Sequence, residues 1–173
     1  MTTTATAPRD DARAATDATG RAALRAAGLR VTEQRLAVLR ALDGHPHAAS
    51  DEVHAGVARD LPGTSLQAVY VVLAALTGAG LVRRIEPAGS PARYELRIGD
   101  NHHHVVCSVC GTISDVDCVV GHAPCLTPSD SSGFVVQTAE VTFWGLCPAC
   151  AHGEGETDAP DVDAPAVDAP AAS

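Results

Sequence analysis

Apolar residues recur at helical spacing through the first half of the chain and in short extended runs through the second. Residues 24–27 close at Gly28, a helix stop. Thr32 is placed to cap a second helix in which Leu36, Leu39 and Leu42 share a face. Ser50 is the expected cap of a third, with Val53, Val57 and Leu61 aligned. Pro62-Gly63 breaks the chain, and Thr64 or Ser65 starts a fourth helix. There Val69, Val72, Leu73 and Leu76 form an inward stripe, and Gly78 to Gly80 ends it. Residues 81–85 and 93–98, joined by Pro87-Ala88-Gly89-Ser90-Pro91, predict a β-hairpin. Helices followed by a hairpin outline a winged helix-turn-helix; the rival on pattern alone is a small helical core that binds nothing.

In the second half, residues 105–106, 112–116, 134–136 and 141–144 are β-prone, and a Cys- and Pro-containing stretch over 117–126 is a candidate short helix. The expected fold class is therefore α+β, a winged-helix domain followed by a small α/β domain. The expected map is a disordered N-terminal arm (1–16), the winged helix (17–99), the second domain (100–152) and a disordered acidic tail (153–173). Asp-Ala-Pro repeats at 158, 163 and 168 leave that tail almost nothing to bury.

Aromatics make up 3% of the 173 residues, so the core must come from Ala, Val and Leu. The longest apolar run, residues 68–76, is far short of a membrane span, and no stretch resembles a secretion signal. A soluble, cytoplasmic protein with no membrane partner is expected. The net charge of −9 argues against nucleic acid until its distribution is read. All 12 basic residues are arginines lying between Arg9 and Arg97, whereas the acids from Asp115 to Asp168 have no basic neighbours. From Arg21 to Arg84 eight arginines face five acids, which permits DNA binding. On the fourth helix the inward stripe leaves Gln67, Tyr70, Val71 and Ala74 outward. Gln67 and Tyr70 are candidates for base or sugar contact, and Arg21, Arg25 and Arg35 for phosphate contact. The bland readings are a buried edge for Tyr70 and a solvated face for the arginines.

Cys107-x-x-Cys110-Gly111 and Cys147-x-x-Cys150 are two pairs with 36 residues between them. Each spacing lets both sulfurs reach one ion from a tight turn, and two pairs make the Cys₄ set of a structural Zn²⁺. Two reduced thiol pairs, or a disulfide formed on oxidation, are the alternatives. Just upstream lies His102-His103-His104; in a strand, His102 and His104 point to one face, a start for a second metal site or else a solvated run. Cys118 and Cys125 belong to neither pair and are inert thiols, an oxidisable pair or supplementary ligands.

Five landmarks in order resemble the ferric uptake regulator family: residues 28–35 (GLRVTEQR), Gln67-Ala-Val-Tyr70 with Ala79-Gly-Leu-Val82, Arg93-Tyr-Glu-Leu96, His102-x-His104-x-x-Cys107-x-x-Cys110-Gly111, and Trp144-Gly-Leu-Cys147-x-x-Cys150. The stretch from Asn101 through Cys118 and Cys125 to Cys150 is similar to the peroxide-responsive, catalase-controlling branch of actinobacteria. That resemblance implies a repressor that binds double-stranded operator DNA as a homodimer through a C-terminal dimerisation domain. Its expected genes are oxidative-stress (catalase-type) and iron-related, and peroxide is the only expected small-molecule substrate. It also implies a regulatory site between the domains, matched here by His47, Glu95, His102, His104 and Asp115. Peroxide sensors often carry aspartate at the position of Glu95, and Asp115 is of their type. Three imidazoles and two carboxylates suit Fe²⁺ or Mn²⁺ with one position open. Ala139 stands where a third family site has histidine, so no third site is expected, and His45, His54, His103, His122 and His152 are expected in surface or packing roles. An iron, zinc or nickel uptake regulator without peroxide sensing is the alternative within the family. A non-haem iron enzyme and a zinc-stapled interaction module are the alternatives outside it, the leading reading being no enzyme.

Overall fold

The computed structural model describes residues 8–98, 102–118, 128–136 and 139–153, with side chains from residue 13 onward. Thr32 caps α2 (Glu33–Gly44), its hydroxyl accepting from the Arg35 N–H at 3.3 Å, and Ser65 caps α4 (Leu66–Gly78) through the Ala68 N–H at 3.2 Å. The expected cap of α3 (Ser50–Asp60) is corrected by one residue. Ala48–Ala49 forms a short strand, β1, so Ala49 takes the cap position, and Glu52 accepts its N–H at 2.6 Å. A carboxylate three residues into the helix replaces the hydroxyl.

The expected disordered arm (1–16) is corrected from Pro8 onward, and residues 1–7 lie outside the described residues. Helix α1 (Pro8–Ala26) begins inside it, and Gly28 at φ 70° ends the turn that follows. Composition hid this helix because much of its docking is polar. Arg13 bonds Asp60 at 2.9 Å, Thr16 bonds Asp43 at 3.0 Å, and Arg40 of α2 reaches both Asp17 and Asp60. Gly20 allows close approach, since a Cβ there would lie 3.1 Å from a Leu39 methyl carbon. Removing Arg40, whose side chain is 10% exposed, takes away the ion pair of Asp17 and leaves Asp60 with Arg13. Arg40→Ala should cost about 2 kcal/mol in urea unfolding at neutral pH. Arg13 chiefly, against the effect of burial and with help from Arg40, holds the Asp60 carboxyl below its ordinary value. This contribution is therefore present above the unfolded-state value and lost as pH falls through the folded one.

Leu24, Leu36, Leu39, Leu42, Val53, Val57, Leu73, Leu76 and Tyr94 form one core with the rest of the α4 stripe. Against it lies a three-stranded sheet in the order β1-β3-β2, made with β2 (Arg83–Ile85) and β3 (Arg93–Glu95). The hairpin is present, with Arg84 opposite Tyr94, though each strand is shorter than its β-prone run. β1 opposite β3 completes the winged helix.

The second sheet, in the order β5-β4-β6, contains β4 (His102–Cys107), β5 (Ile113–Asp117) and β6 (Thr142–Gly145), and the one-turn α5 (Pro148–Ala151) follows. β4 runs antiparallel to β5 and parallel to β6. The expected strand at residues 134–136 does not form; Phe134 and Val135 are 77% and 87% exposed. No neighbouring strand among the described residues satisfies its backbone groups. Cys125, His122, most of the stretch 117–126, the expected boundary at 99–101 and the tail from residue 154 lie outside the described residues. Among the described residues no helix is long and apolar enough to cross a membrane.

Candidate metal centres and DNA-facing surface

The parallel pairing of β4 and β6 puts Cys107 opposite Gly145, so both Cys-x-x-Cys turns leave the same end of one sheet. The first turn closes with the Gly111 N–H on the Cys107 carbonyl at 2.9 Å, and Gly111 sits at φ 71°, where a side chain is strained. The second is α5, with Pro148 at its first position and the Cys147 sulfur accepting the Cys150 N–H. The Ser108 N–H to the Gly145 carbonyl, 2.9 Å, ties the turns together. The four sulfurs of Cys107, Cys110, Cys147 and Cys150 lie within 4.8 Å of one another, with Cys110 and Cys147 at 3.6 Å. A tetrahedral thiolate site with metal–sulfur bonds of about 2.3 Å separates its sulfurs by about 3.8 Å, so the set fits a zinc-sized ion. Backbone N–H groups of Cys110 and Cys147 lower the Cys107 thiol to about 6. Bonding to Cys147, then burial, pushes Cys150 up to about 12. Four thiols this close do not all ionise without a cation among them.

The second cluster lies where the two domains meet. Glu95 ends β3, and His47 precedes β1 with φ 60°, a left-handed backbone rare for a side-chain-bearing residue and often found at functional sites. His102 and His104 share one face of β4, and Asp115 pairs directly with His104 across β5. His47 Nε2 lies 2.9 Å from Glu95 Oε2 and 2.8 Å from Asp115 Oδ1. His102 Nε2 is 3.1 Å from Glu95 Oε1, and His104 Nε2 is 3.3 Å from Glu95 Oε2 and 3.5 Å from Asp115 Oδ1. Four of the five expected ligands, His47, Glu95, His104 and Asp115, bring donor atoms within 4.8 Å of one another, and His102 stands at the edge of that set, 3.1 Å from Glu95 and 3.9 Å from Asp115. Metal–ligand bonds of roughly 2.1 Å put neighbouring donors roughly 3 Å apart and opposite ones roughly 4.2 Å apart, which brackets these spacings.

The electrostatics of the cluster also ask for a cation. Burial alone raises the Glu95 carboxyl, but hydrogen bonds from His104 and His47 and the charges of His104 and His102 hold it well below the carboxylate range. Burial likewise opposes charge on His47, yet its bond to Glu95 and the field of Asp115 raise it. Glu95 is 1% exposed, and a carboxylate so buried needs positive charge beside it.

Gln67 and Tyr70 are exposed on α4, as is Val71. The expected phosphate contacts divide: Arg25 is exposed, Arg21 pairs with Glu33 at 3.2 Å, and Arg35 is engaged by the Arg30 carbonyl ahead of α2. Cys118 follows β5, outside both clusters. Sequence reasoning missed three residues. His54 Nε2 donates to the Thr64 carbonyl at 2.8 Å and pins the turn that launches α4. Arg83 approaches Glu95, and Arg97 approaches Asp115. The available signal for Arg97 was its place two residues after Glu95 in a run expected to be extended; the strand itself ends at Glu95.

A family model described as the ferric uptake regulator family matches residues 26–143. The transcriptional regulator FurA of Mycobacterium tuberculosis (strain ATCC 25618 / H37Rv) is 58% identical over 137 residues, 79% of this chain and 93% of that protein. The peroxide-responsive repressor PerR of Staphylococcus aureus (strain Mu50 / ATCC 700699) is 30% identical over 130 residues, 75% of this chain and 87% of that one. Among solved structures, the Vibrio cholerae ferric uptake regulator matches with a TM-score of 0.56 at 25% identity, covering 73% of this chain and 98% of that one.

Proposed function

The chain belongs to the ferric uptake regulator family and is a metal-responsive transcriptional regulator, and from that premise we propose that it is a homodimeric repressor which senses peroxide through an Fe²⁺ or Mn²⁺ site between its domains. One observation carries the reading: His47 and Glu95 come from the winged helix, whereas His102, His104 and Asp115 come from the second sheet, and their donor atoms meet. An ion held by all five fixes how the DNA-binding domain sits on its neighbour. Zn²⁺ in the Cys107, Cys110, Cys147 and Cys150 set has a different task, since four thiolates close the site and leave it structural.

In this reading α4 enters the major groove, with Gln67 and Tyr70 at base or sugar edges and exposed Val71 suited to a thymine methyl. Arg25 and Arg21 serve phosphates, and Arg35 acts by ordering the turn before α2. A second copy covers exposed apolar side chains of the second domain, among them Phe134, Val135, Phe143, Trp144 and Leu146, which are 49% to 87% exposed in one chain. Its control of catalase-type and iron-related genes follows from the family resemblance.

Fe²⁺ held there would supply the electron for peroxide reduction, chemistry that Mn²⁺ would perform poorly. His47 and His102 would be the imidazoles nearest the oxidant, and an imidazole that gained oxygen at the expense of peroxide, with water released, would no longer hold the domains together. An enzyme reading fits less well. The cleft of about 760 Å³ beside the site is lined by His47 but by none of the other four donors, so a substrate there meets one wall of the cluster.

The test uses matched iron- and manganese-loaded protein on operator DNA. Micromolar peroxide should release the iron form and add one oxygen to His47 or His102 by peptide mass spectrometry, while the manganese form stays bound. A reductant-reversible Cys118–Cys125 disulfide, equal in both forms, would move sensing to the thiols. DNA binding intact with neither modification would leave a metal-uptake regulator.

A further inference from the structure

Asp115 does not offer its two oxygens to the cluster equally. Oδ1 faces the imidazoles, 2.8 Å from His47 Nε2 and 3.5 Å from His104 Nε2, while Oδ2 accepts from Arg97 at 3.5 Å. Arg97 is anchored by its other terminal nitrogen, which donates to Asp117 Oδ1 at 2.6 Å. Asp115 and Asp117 share a face of β5, opposite His104 and His102, so the guanidinium lies along the rim of the cluster. Arg97 follows β3, which ends at Glu95, and so bridges from the winged helix to the second sheet. Glu95 is arranged otherwise. Both of its oxygens face imidazoles, and Arg83 Nε stands off at 3.8 Å.

We propose that Arg97 is a positioning residue that restricts Asp115 to ligation through Oδ1 and thereby keeps one coordination position of the regulatory metal free. This rests on the assignment of the five-residue cluster as the regulatory site. The physical basis is the guanidinium fork, which holds a carboxylate by direction as well as charge. With Oδ2 drawn toward Arg97, 3.5 Å away, the carboxylate is biased against turning both oxygens inward; with Oδ2 released it can bind through two. A two-oxygen Asp115 would fill the place peroxide needs. Arg97 thus controls access to the metal without touching it.

The test uses the full-length protein with zinc in its Cys set and Co²⁺ as the probe of the second site, because cobalt absorbs several-fold more strongly in the visible when five-coordinate than when six-coordinate. In Arg97→Gln the absorption per bound cobalt should fall several-fold, and peroxide release of the iron-loaded form from DNA should slow about tenfold, the usual effect of losing an outer partner of a ligand. Arg83→Gln removes the same charge beside Glu95 and should leave the cobalt spectrum unchanged. Zinc content and dimer state report folding. If Arg97→Gln loses either, Asp117→Ala decides. That side chain is 84% exposed, and removing its carboxylate takes away the 2.6 Å contact that anchors Arg97 beside Asp115, so the spectrum should shift in the same direction. An unchanged spectrum in whichever variant keeps zinc, or an equal change in Arg83→Gln, overturns the proposal. Wild-type protein that takes up no second metal overturns the regulatory-site assignment and this inference together. If the wild type binds cobalt but ignores peroxide, only the sensing proposal fails, and the spectra still decide on Arg97.

Discussion

Cys107→Ser and Cys150→Ser are each expected to yield protein without stoichiometric zinc and without a stable dimer. The second domain has almost no apolar core of its own. Its strongly buried apolar residues among those described are Val106 and Cys107, whereas the main core cluster lies wholly within residues 24–94. Three short strands with so little burial among the described residues gain from a metal that contributes folding free energy. A structural zinc in the Cys set would contribute about 10 kcal/mol. Removing one sulfur leaves three thiols, with the Ser108 link to Gly145 as a weak substitute. The winged helix should survive, because its core is complete without the second sheet. Zinc analysis, light scattering and limited proteolysis together check this, with a protease-resistant N-terminal domain expected. Either variant keeping full zinc and remaining a dimer would show that the four cysteines are not the structural site.

His47→Ala and His104→Ala are expected to keep one zinc per chain, lose the second metal, and lower operator affinity about 100-fold, the upper range of coupling between two sites. The two variants act from opposite sides of the domain junction. His47 lies within 3 Å of one carboxylate from each domain and gives the winged helix an imidazole to the site. His104 is buried on the central strand of the second sheet, between Glu95 and Asp115. If the metal sets domain orientation, losing a ligand from either side has the same result, although only one residue belongs to the DNA-binding domain. Metal analysis paired with gel shifts reads this directly. Operator binding that persists after chelation of the second metal would sink the switch, and loss of zinc in His104→Ala would show damage to the fold instead.

Local signals carried far along this chain. Thr32 and Ser65 cap helices, and the Val69, Val72, Leu73 and Leu76 stripe is buried, because capping and helical periodicity depend on residues within one turn of each other. The Cys-x-x-Cys pairs announced a four-sulfur site for the same reason, since a turn of four residues is enough to aim two thiols at one point. Local signals were enough for α2, α4 and the hairpin, and they named the candidate ligands, the second set with the help of family resemblance.

Long-range geometry was hidden. Helix α1 docks largely through Arg13, Arg40 and Asp60, ion pairs whose partners lie 20 or more residues apart and leave no apolar stripe to read. The run at 134–136 is apolar and β-prone, yet a strand exists only where another backbone accepts its hydrogen bonds, and the described residues offer none. The parallel register of β4 and β6 brings the two cysteine pairs together, and the antiparallel register of β4 and β5 sets Asp115 beside His104. Only the tertiary structure could show that Asp115 turns Oδ1 to the imidazoles and Oδ2 to Arg97. Side-chain direction at a junction of two domains is set by packing between residues far apart in sequence, and no local periodicity encodes it.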